Sequence, residues 1–453
     1  MRDLYLREFG LLVQGSIEGN SVDVCGISSD EAWSFLEALA YSDEKNDRFI
    51  EVARYGGRKA LRVKNFIGVI AAPDGTQIEI LPKTSEDAQD IGDTRELLWK
   101  MLDAVEDLKL LETTDANLML RTMPLTEALA SIFLKQVGAL VRKGIRRDYE
   151  RVQDEEQFLR GRLQVMRQIM QSPGRQHLFR IEYDLFSDNR AENRLIHAAL
   201  VKVAASCNAP QNQRWARELR HGFESVPLSY DYPSDFAQWK TDRAMIHYQA
   251  LLPWLRLILN QQCPFSLKDS HRGISFLFPM ETLFEKYVTE MLGRQLASGD
   301  VRLHKQVRSR YLSDAPQAFQ LKPDLALKKD QQWLRVMDTK WKLIDSAAVY
   351  ADGKEDLKAG ISQADVYQLF AYGHKYMNGK GRLVLIYPRW SGFSEPLKEF
   401  RLGEGLFLDV IPFDLKSDGS RFVDLLLTPS LDGRGLIAAA PLSPTGSTNT
   451  APG

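Results

Sequence analysis

The strongest constraint on how this chain can fold is an acid set into an apolar run. Trp333 to Trp341 reads as a strand, and Val336-Met337 carries apolar character up to Asp338-Thr339-Lys340. A carboxylate in such a place is expected to be buried, and buried carboxylates are paired or hold metal, because an isolated charge is costly to take out of water. Side chains two apart on a strand share a face, so Asp338 and Lys340 are expected to project together. Phe319 to Leu327 reads as the preceding strand, with Lys322-Pro323-Asp324 inside it. If the two strands pair as a hairpin, Asp324 reaches the same patch. Two carboxylates suit a hard cation such as Mg2+. An adjacent lysine orients a water and offsets negative charge on a phosphate. Phosphodiester hydrolysis needs this set of groups.

Asp-x-Lys alone carries no information, since it recurs at Asp43, Asp107, Asp352, Asp356 and Asp414. The information lies in Pro-Asp on one strand, Asp-x-Lys on the next and a helix on either side. A surface hairpin with one salt bridge shows the same pattern, and the pattern by itself is evenly divided between the two readings.

The surrounding elements give a coarse architecture. Met280 to Leu296 has helical spacing, Val301 to Val307 reads as a strand, Gln363 to Met377 as a helix and Arg382 to Tyr387 as a strand. The order is helix, three strands, helix, strand. Further upstream, Ser28-Ser29-Asp30-Glu31 is a helix start ahead of Trp33, Leu36 and Leu39. Arg62 to Ile70 reads as a strand, Pro73-Asp74-Gly75-Thr76 as a turn and Gln77 to Pro82 as an alternating strand, together a hairpin. Leu125 to Val141 predicts an amphipathic helix, and Ala191 to Ala204 and Asp242 to Leu259 are read the same way. The expected fold is a multidomain α+β chain. It has a β-rich N-terminal region (1–93), a helical middle (94–270), an α/β core (271–430) and a disordered tail (431–453) rich in Pro, Gly, Ser and Thr.

Composition limits the function classes. At roughly 100–200 residues per domain, 453 residues make about two to four domains. A formal net charge of -1 means that any nucleic-acid binding rests on local patches. Cys25, Cys207 and Cys263 are scattered and odd in number, which argues against a disulfide framework or a thiolate zinc site and points to a reducing cytoplasm. The start has no signal-peptide core, and the most apolar stretch, Leu251 to Leu259, is far short of a membrane span. There is no GxxxxGK[ST] phosphate loop and no Gly-x-Ser-x-Gly elbow.

The ordered set of segments is more specific. Gly68-Val69-Ile70 precedes Glu79-Ile80-Leu81-Pro82-Lys83. Gly144-Ile145 leads to Tyr149 and Leu159-Arg160-Gly161-Arg162-Leu163. Asp188-Asn189 stands with Glu192-Asn193-Arg194, and Leu283-Phe284-Glu285-Lys286-Tyr287-Val288 follows. Pro323-Asp324, Asp338-Thr339-Lys340-Trp341 and Asp365-Val366-Tyr367-Gln368 complete the series. Over about residues 10–415 the chain resembles the McrC family, the nuclease subunits of McrBC modification-dependent restriction systems, within the PD-(D/E)xK (restriction-endonuclease-like) superfamily. The resemblance implies metal ligation by Asp324, Asp338 and the Thr339 carbonyl, with Lys340 as the catalytic lysine. It also implies Glu285 as a water-mediated ligand, for which a helix-surface salt bridge is an equal reading. It further implies Gln368 near the site or the DNA, with Tyr367 as core. The implied cofactor is Mg2+. The implied partners are double-stranded DNA and an McrB-like AAA+ GTPase, which binds GTP itself and docks on the N-terminal region and helical middle.

Other features carry weaker expectations. Arg142, Lys143, Arg146, Arg147, Arg151, Arg160 and Arg162 read as a solvated helix face, with DNA or partner contact as alternatives. His304, Lys305, Arg308 and Arg310 are candidates for the DNA backbone. Trp341 is expected in the core, and His374 has no second histidine at ligand spacing. The rival readings are a defence or repair nuclease with a different motor, and a non-catalytic adaptor that activates an NTPase.

Overall fold

The computed structural model describes residues 3–17, 21–41, 49–84, 91–106, 121–259, 275–297, 299–348, 358–417 and 419–427. Cys263 and the expected tail at 431–453 lie outside them. The fold is mixed α/β with several sheets. Among the described residues no helix is long and apolar enough to cross a membrane.

The N-terminal region holds two four-stranded sheets. One runs Val24–Ile27, Leu11–Gln14, Arg58–Val63, Ile50–Tyr55. Helix Asp30–Tyr41 packs on it through Trp33 and Leu36, and Ser29 Oγ caps the helix by accepting from Ala32 N at 3.2 Å. The other runs Asp3–Arg7, Gln77–Leu81, Phe66–Ala71, Phe276–Pro279. The expected hairpin of 66–71 with 77–81 is present. The single strand expected over Arg62 to Ile70 is instead two strands in two sheets. They separate at Lys64-Asn65, where Lys64 N turns to Phe49 O.

The fourth strand, Phe276–Pro279, arrives from beyond the expected 270/271 boundary. Its backbone passes so close to Gly68 that an added Cβ would stand 2.1 Å from Phe276 O, and Gly68 adopts φ +130. Only glycine permits both the approach and the dihedral. Gln77 to Leu81 was expected to bury every other residue, yet all five are buried. Helix Ile91–Glu106 covers the polar face, and Arg95 meets Glu79 there through two hydrogen bonds of 2.7 and 2.9 Å.

The middle is less helical than its sequence suggests. Helices Leu125–Lys143 and Ala191–Ser206 appear as expected. Between them lies a three-stranded antiparallel sheet of Asp148–Glu156, Phe179–Ser187 and Arg162–Leu163. The basic stretch expected as a helix face thus leaves the helix at Lys143 and continues on strands, with Arg151 beside Glu182 and Asp184. Asp148–Glu156 is charged on both sides and mostly exposed, so no apolar alternation marks it, whereas Phe179–Ser187 alternates from Phe179 to Leu185, a signal that sequence reasoning missed. The motif at their base is structural. Asn193 Nδ2 donates to Arg146 O and Asp188 O, and Arg190 pairs with Asp148 and Glu192. The single helix expected over Asp242 to Leu259 breaks into Arg243–Met245, Ile246–Gln249 and Leu252–Ile258. Pro253 in the first turn of the last piece cannot continue a preceding helix.

The C-terminal core is a six-stranded mixed sheet, ordered Arg302–Lys305, Leu325–Lys329, Gln332–Thr339, Gly381–Pro388, Leu406–Phe413, Phe400–Gly403. Its first three strands are antiparallel, and Gln332–Thr339, Gly381–Pro388 and Leu406–Phe413 are parallel. Helix Met280–Leu296 covers one face, against Leu325, Met337, Val384 and Ile386. Helix Gln363–Met377 covers the other, against Ala326, Val336, Leu383 and Leu385. One hydrophobic core runs from Ile67 and Val69 through both long middle helices to Met337 and Val384, so the three regions are fused.

Glu79 and Arg95 are each 5% exposed, a fully desolvated pair. Glu79→Ala should cost about 3–5 kcal/mol by leaving Arg95 buried and uncompensated. Glu79→Met with Arg95→Met should recover most of it. Denaturant unfolding measures both, and a loss below about 1 kcal/mol, the size of an exposed pair, would refute this role.

Candidate active site

The sheet brings Asp324, Asp338 and Lys340 together, though not as two regular strands would. The strand expected over Phe319 to Leu327 is interrupted. Gln317–Leu321 pairs with Arg310–Asp314 as a separate hairpin, and the core strand restarts at Leu325. Asp324 therefore sits in the break and not inside a strand. Pro323 has no N–H for a ladder, and the Asp324 carbonyl instead accepts from Gln306 N at 2.7 Å. The Asp324 carboxylate is aimed by Thr339, whose N–H and Oγ1 both donate to Oδ2 at 2.8 Å, leaving Oδ1 without a hydrogen bond.

Asp338 is 2% exposed and lies on the face of helix Gln363–Met377, in register with Leu385. Lys340 stands one residue past the strand end, its N–H held by Ile386 O at 2.9 Å. Its Nζ is 2.7 Å from Asp338 Oδ2, 3.7 Å from Asp365 Oδ1 and 3.4 Å from Gln368 Oε1. Asp338 Oδ2 is buried, and the Lys340 ammonium is the group that meets it. Gln368 is fixed in turn by donating to Tyr372 OH at 2.6 Å.

The electrostatics follow from this crowding. Burial, and then repulsion from Asp324, push the Asp338 carboxyl up to about 7. Burial by itself favours a neutral Lys340, but Asp338, Asp365 and Asp324 outweigh it and hold the ammonium above its usual value. Glu285 is raised by burial and by Asp324, and its Oε1 accepts from Gln306 Nε2 at 3.1 Å. Glu285 thus stands at the edge of the site, bound to the loop that holds Asp324, and among the described residues it forms no helix-surface salt bridge. Among the described residues, no three Asp, Glu, His or Cys side chains are close enough to cage a metal by themselves. Two carboxylates with free oxygens, one buried and strained by its neighbour's charge, still fit a hard cation that keeps several waters.

Other expectations fare differently. Tyr367 is 63% exposed and not core, because Leu369, Tyr372 and Tyr376 take the inner face of its helix. Trp341 is buried against Phe284 as expected. His304 packs edge-on to Trp333 and Lys305 approaches Glu290 at 3.8 Å, while Arg308 and Arg310 are exposed. Sequence reasoning gave no role to Asp365, Tyr372 or Gln306. Asp365 and Tyr372 stand three before and four after Gln368, the spacing that places residues on one helix face, and that signal was available.

The sequence model of the McrBC 5-methylcytosine restriction system components matches residues 61–388. No curated protein matches the chain. Among solved structures, it is similar to a chain of the refined half-complex from the tetradecameric assembly of Thermococcus gammatolerans McrB AAA+ hexamers with bound McrC. The TM-score is 0.66 at 19% identity, over 92% of this chain and 96% of that one. A chain of the Thermococcus gammatolerans McrBC complex gives a TM-score of 0.48 at 20% identity, over 66% and 89%. The first of these establishes likeness of fold.

A raised folded value makes Asp338 bind a proton that the unfolded chain, at its ordinary 3.8, releases. Stability therefore falls as pH rises through this window. In EDTA, wild type should lose stability relative to Asp338→Asn between about pH 4 and pH 7, because asparagine does not titrate. Parallel pH profiles for the two proteins in denaturant unfolding would refute the assignment.

Proposed function

The chain belongs to the family of McrBC 5-methylcytosine restriction system components, and on that premise we propose that it is the nuclease subunit of such a system. It is an endodeoxyribonuclease with a PD-(D/E)xK core that uses Mg2+ to cut methylcytosine-containing double-stranded DNA alongside an AAA+ GTPase. The observation that carries this reading is the convergence of Asp324 and buried Asp338, with Lys340 Nζ 2.7 Å from the latter. Burying one carboxylate beside another of like charge serves stability poorly and metal binding well.

Asp324 and Asp338 would hold the cation, with the Thr339 carbonyl and, through water, Glu285 as further ligands. When bound, it supplies Lewis-acid activation of a water and neutralises charge on the scissile phosphate. The remaining work falls to this chain's own groups. Lys340 stays protonated, orients the attacking water and offsets charge developing on the phosphate oxygens. Asp365 and Gln368 hold its ammonium from the helix side, and Tyr372 locks Gln368. Gln306 fixes Glu285 and, through its N–H, the Asp324 backbone. Exposed Lys305, Arg308 and Arg310 supply the phosphate contacts that a near-neutral chain must concentrate locally.

The GTPase partner is an McrB-like AAA+ protein, and its docking surface is the three-stranded sheet of the middle region with the segments that connect its strands. Tyr149 on its first strand, Phe158 and Leu159 in the following loop, and Met166, Ile169 and Met170 on and just after the short helix Val165–Ile169 are exposed, a density of apolar side chains that marks an interaction surface.

The test is cleavage of methylated and unmethylated plasmid with Mg2+, GTP and an McrB-type partner. Asp338→Ala and Lys340→Ala should each slow cutting by about 100-fold or more while GTPase stimulation persists. Equal cutting by Asp338→Ala would remove the catalytic assignment. Stimulated GTPase without cutting by wild type would identify an adaptor, and cutting without the GTPase a different motor.

A further inference from the structure

Lys83 ends a segment singled out by the sequence, yet nothing in the chemistry above uses it. It belongs to a buried cluster joining the N-terminal sheet to the end of the catalytic strand. Glu8 follows the first strand, its N–H donates to Leu81 O at 2.9 Å, and the residue is 3% exposed. Its Oε1 accepts from Lys83 N at 2.9 Å and from the Trp341 indole Nε1 at 2.7 Å. Lys83 Nζ donates to the Trp341 carbonyl at 2.9 Å and lies over the rings of Trp341 and Phe9 at 5.4 and 5.0 Å. Trp341 is thus gripped at its side chain by Glu8 and at its backbone by Lys83. Its ring also meets Phe284, the neighbour of Glu285, at 5.3 Å.

The position of this grip matters because the strand ladder stops at Thr339. The Lys340 N–H keeps its bond to Ile386 O, while its carbonyl takes only the local turn bond from Lys342 N at 3.0 Å, so the grip on Trp341 is the first tie beyond Lys340 that reaches the N-terminal sheet. Shifting Trp341 swings the Lys340 side chain, whose reach to Asp338 and Asp365 sets its charge and aim.

We propose that Glu8 and Lys83 are positioning residues for the active site, fixing Trp341 and through it the backbone that aims Lys340. This rests on Lys340 being the catalytic lysine. The Glu8 oxygen that receives both N–H groups is Oε1, and Oε2 has no hydrogen bond, so glutamine can replace the carboxylate without losing either contact.

The experiment uses the full chain with its GTPase partner and compares Lys83→Met, Trp341→Phe and Glu8→Gln. Single-turnover cutting should slow about tenfold to a hundredfold in the first two, as expected for a misaimed catalytic group. Their DNA affinity and GTPase stimulation should stay at wild-type levels, and Glu8→Gln should cut nearly as wild type does. Amide exchange at 339–342 should quicken in the same two variants while 381–388 is unchanged. Unaltered exchange, or quickened exchange with unaltered cutting, would overturn the proposal. Should Lys83→Met fail to unfold cooperatively, Trp341→Phe carries the comparison, since it keeps a ring and removes only the indole donor. If wild type itself does not cut, the nuclease reading fails, and exchange alone decides whether Glu8 and Lys83 hold the segment.

Discussion

Removing a carboxylate from water is expensive, and the C-terminal half of this molecule is arranged around one that has been removed. Asp338 cannot reach solvent from within a sheet covered on both faces, so its charge must be answered locally. Lys340 answers it from one side, while Asp324 works against it from the other. The balance needs three backbone segments at fixed separations. Thr339 ties the break at Asp324 to the central strand, Ile386 holds Lys340, and the helix bearing Asp365 and Gln368 closes the space above. The mixed sheet and its two helices can be read as the scaffold for that separation.

Much of this was legible in the chain. Met280–Leu296 and Gln363–Met377 have the predicted bounds, because apolar residues at three- and four-residue spacing fix a helix wherever it packs. Asp338 and Lys340 share a patch as their spacing requires. Asp324 was located correctly but for the wrong reason. The strand was expected to carry it, whereas Pro323 breaks the strand and Thr339 supplies the aim. The three-stranded sheet of the middle region was only partly legible. Phe179-Arg180-Ile181-Glu182-Tyr183-Asp184-Leu185 alternates as a strand should, a signal that was available, but Asp148–Glu156 does not alternate and Arg162–Leu163 is too short to show a pattern. What holds the sheet is cross-strand pairing and the buried Asn193 at its base.

The link from Glu8 to Trp341 was hidden for a different reason. Single-sequence patterns report on neighbours within a few turns, and these two residues are 333 apart. Gly68 offered a partial clue, since a glycine in a strand suggests close approach of another backbone. The approaching strand, Phe276–Pro279, explains why the N-terminal sheet and the C-terminal core are not separate bodies. The regions read as consecutive domains are joined by one cluster that spans all three, while the N-terminal sheets and the outer face of the C-terminal sheet each keep a cluster of their own.

That interleaving has a consequence for biosynthesis. A ribosome releases Glu8 long before Trp341, and Phe66–Ala71 long before the strand that completes its sheet. Closing loops of this length is entropically slow and comes late in folding. The N-terminal sheet must wait with an open edge, and Glu8 with only the Lys83 N–H of its two donors, until most of the chain has been made. On the proposed reading, ability to cut DNA belongs only to the finished polypeptide. A stalled or clipped fragment lacks one side of the grip on Trp341, which would spare the cell that makes it.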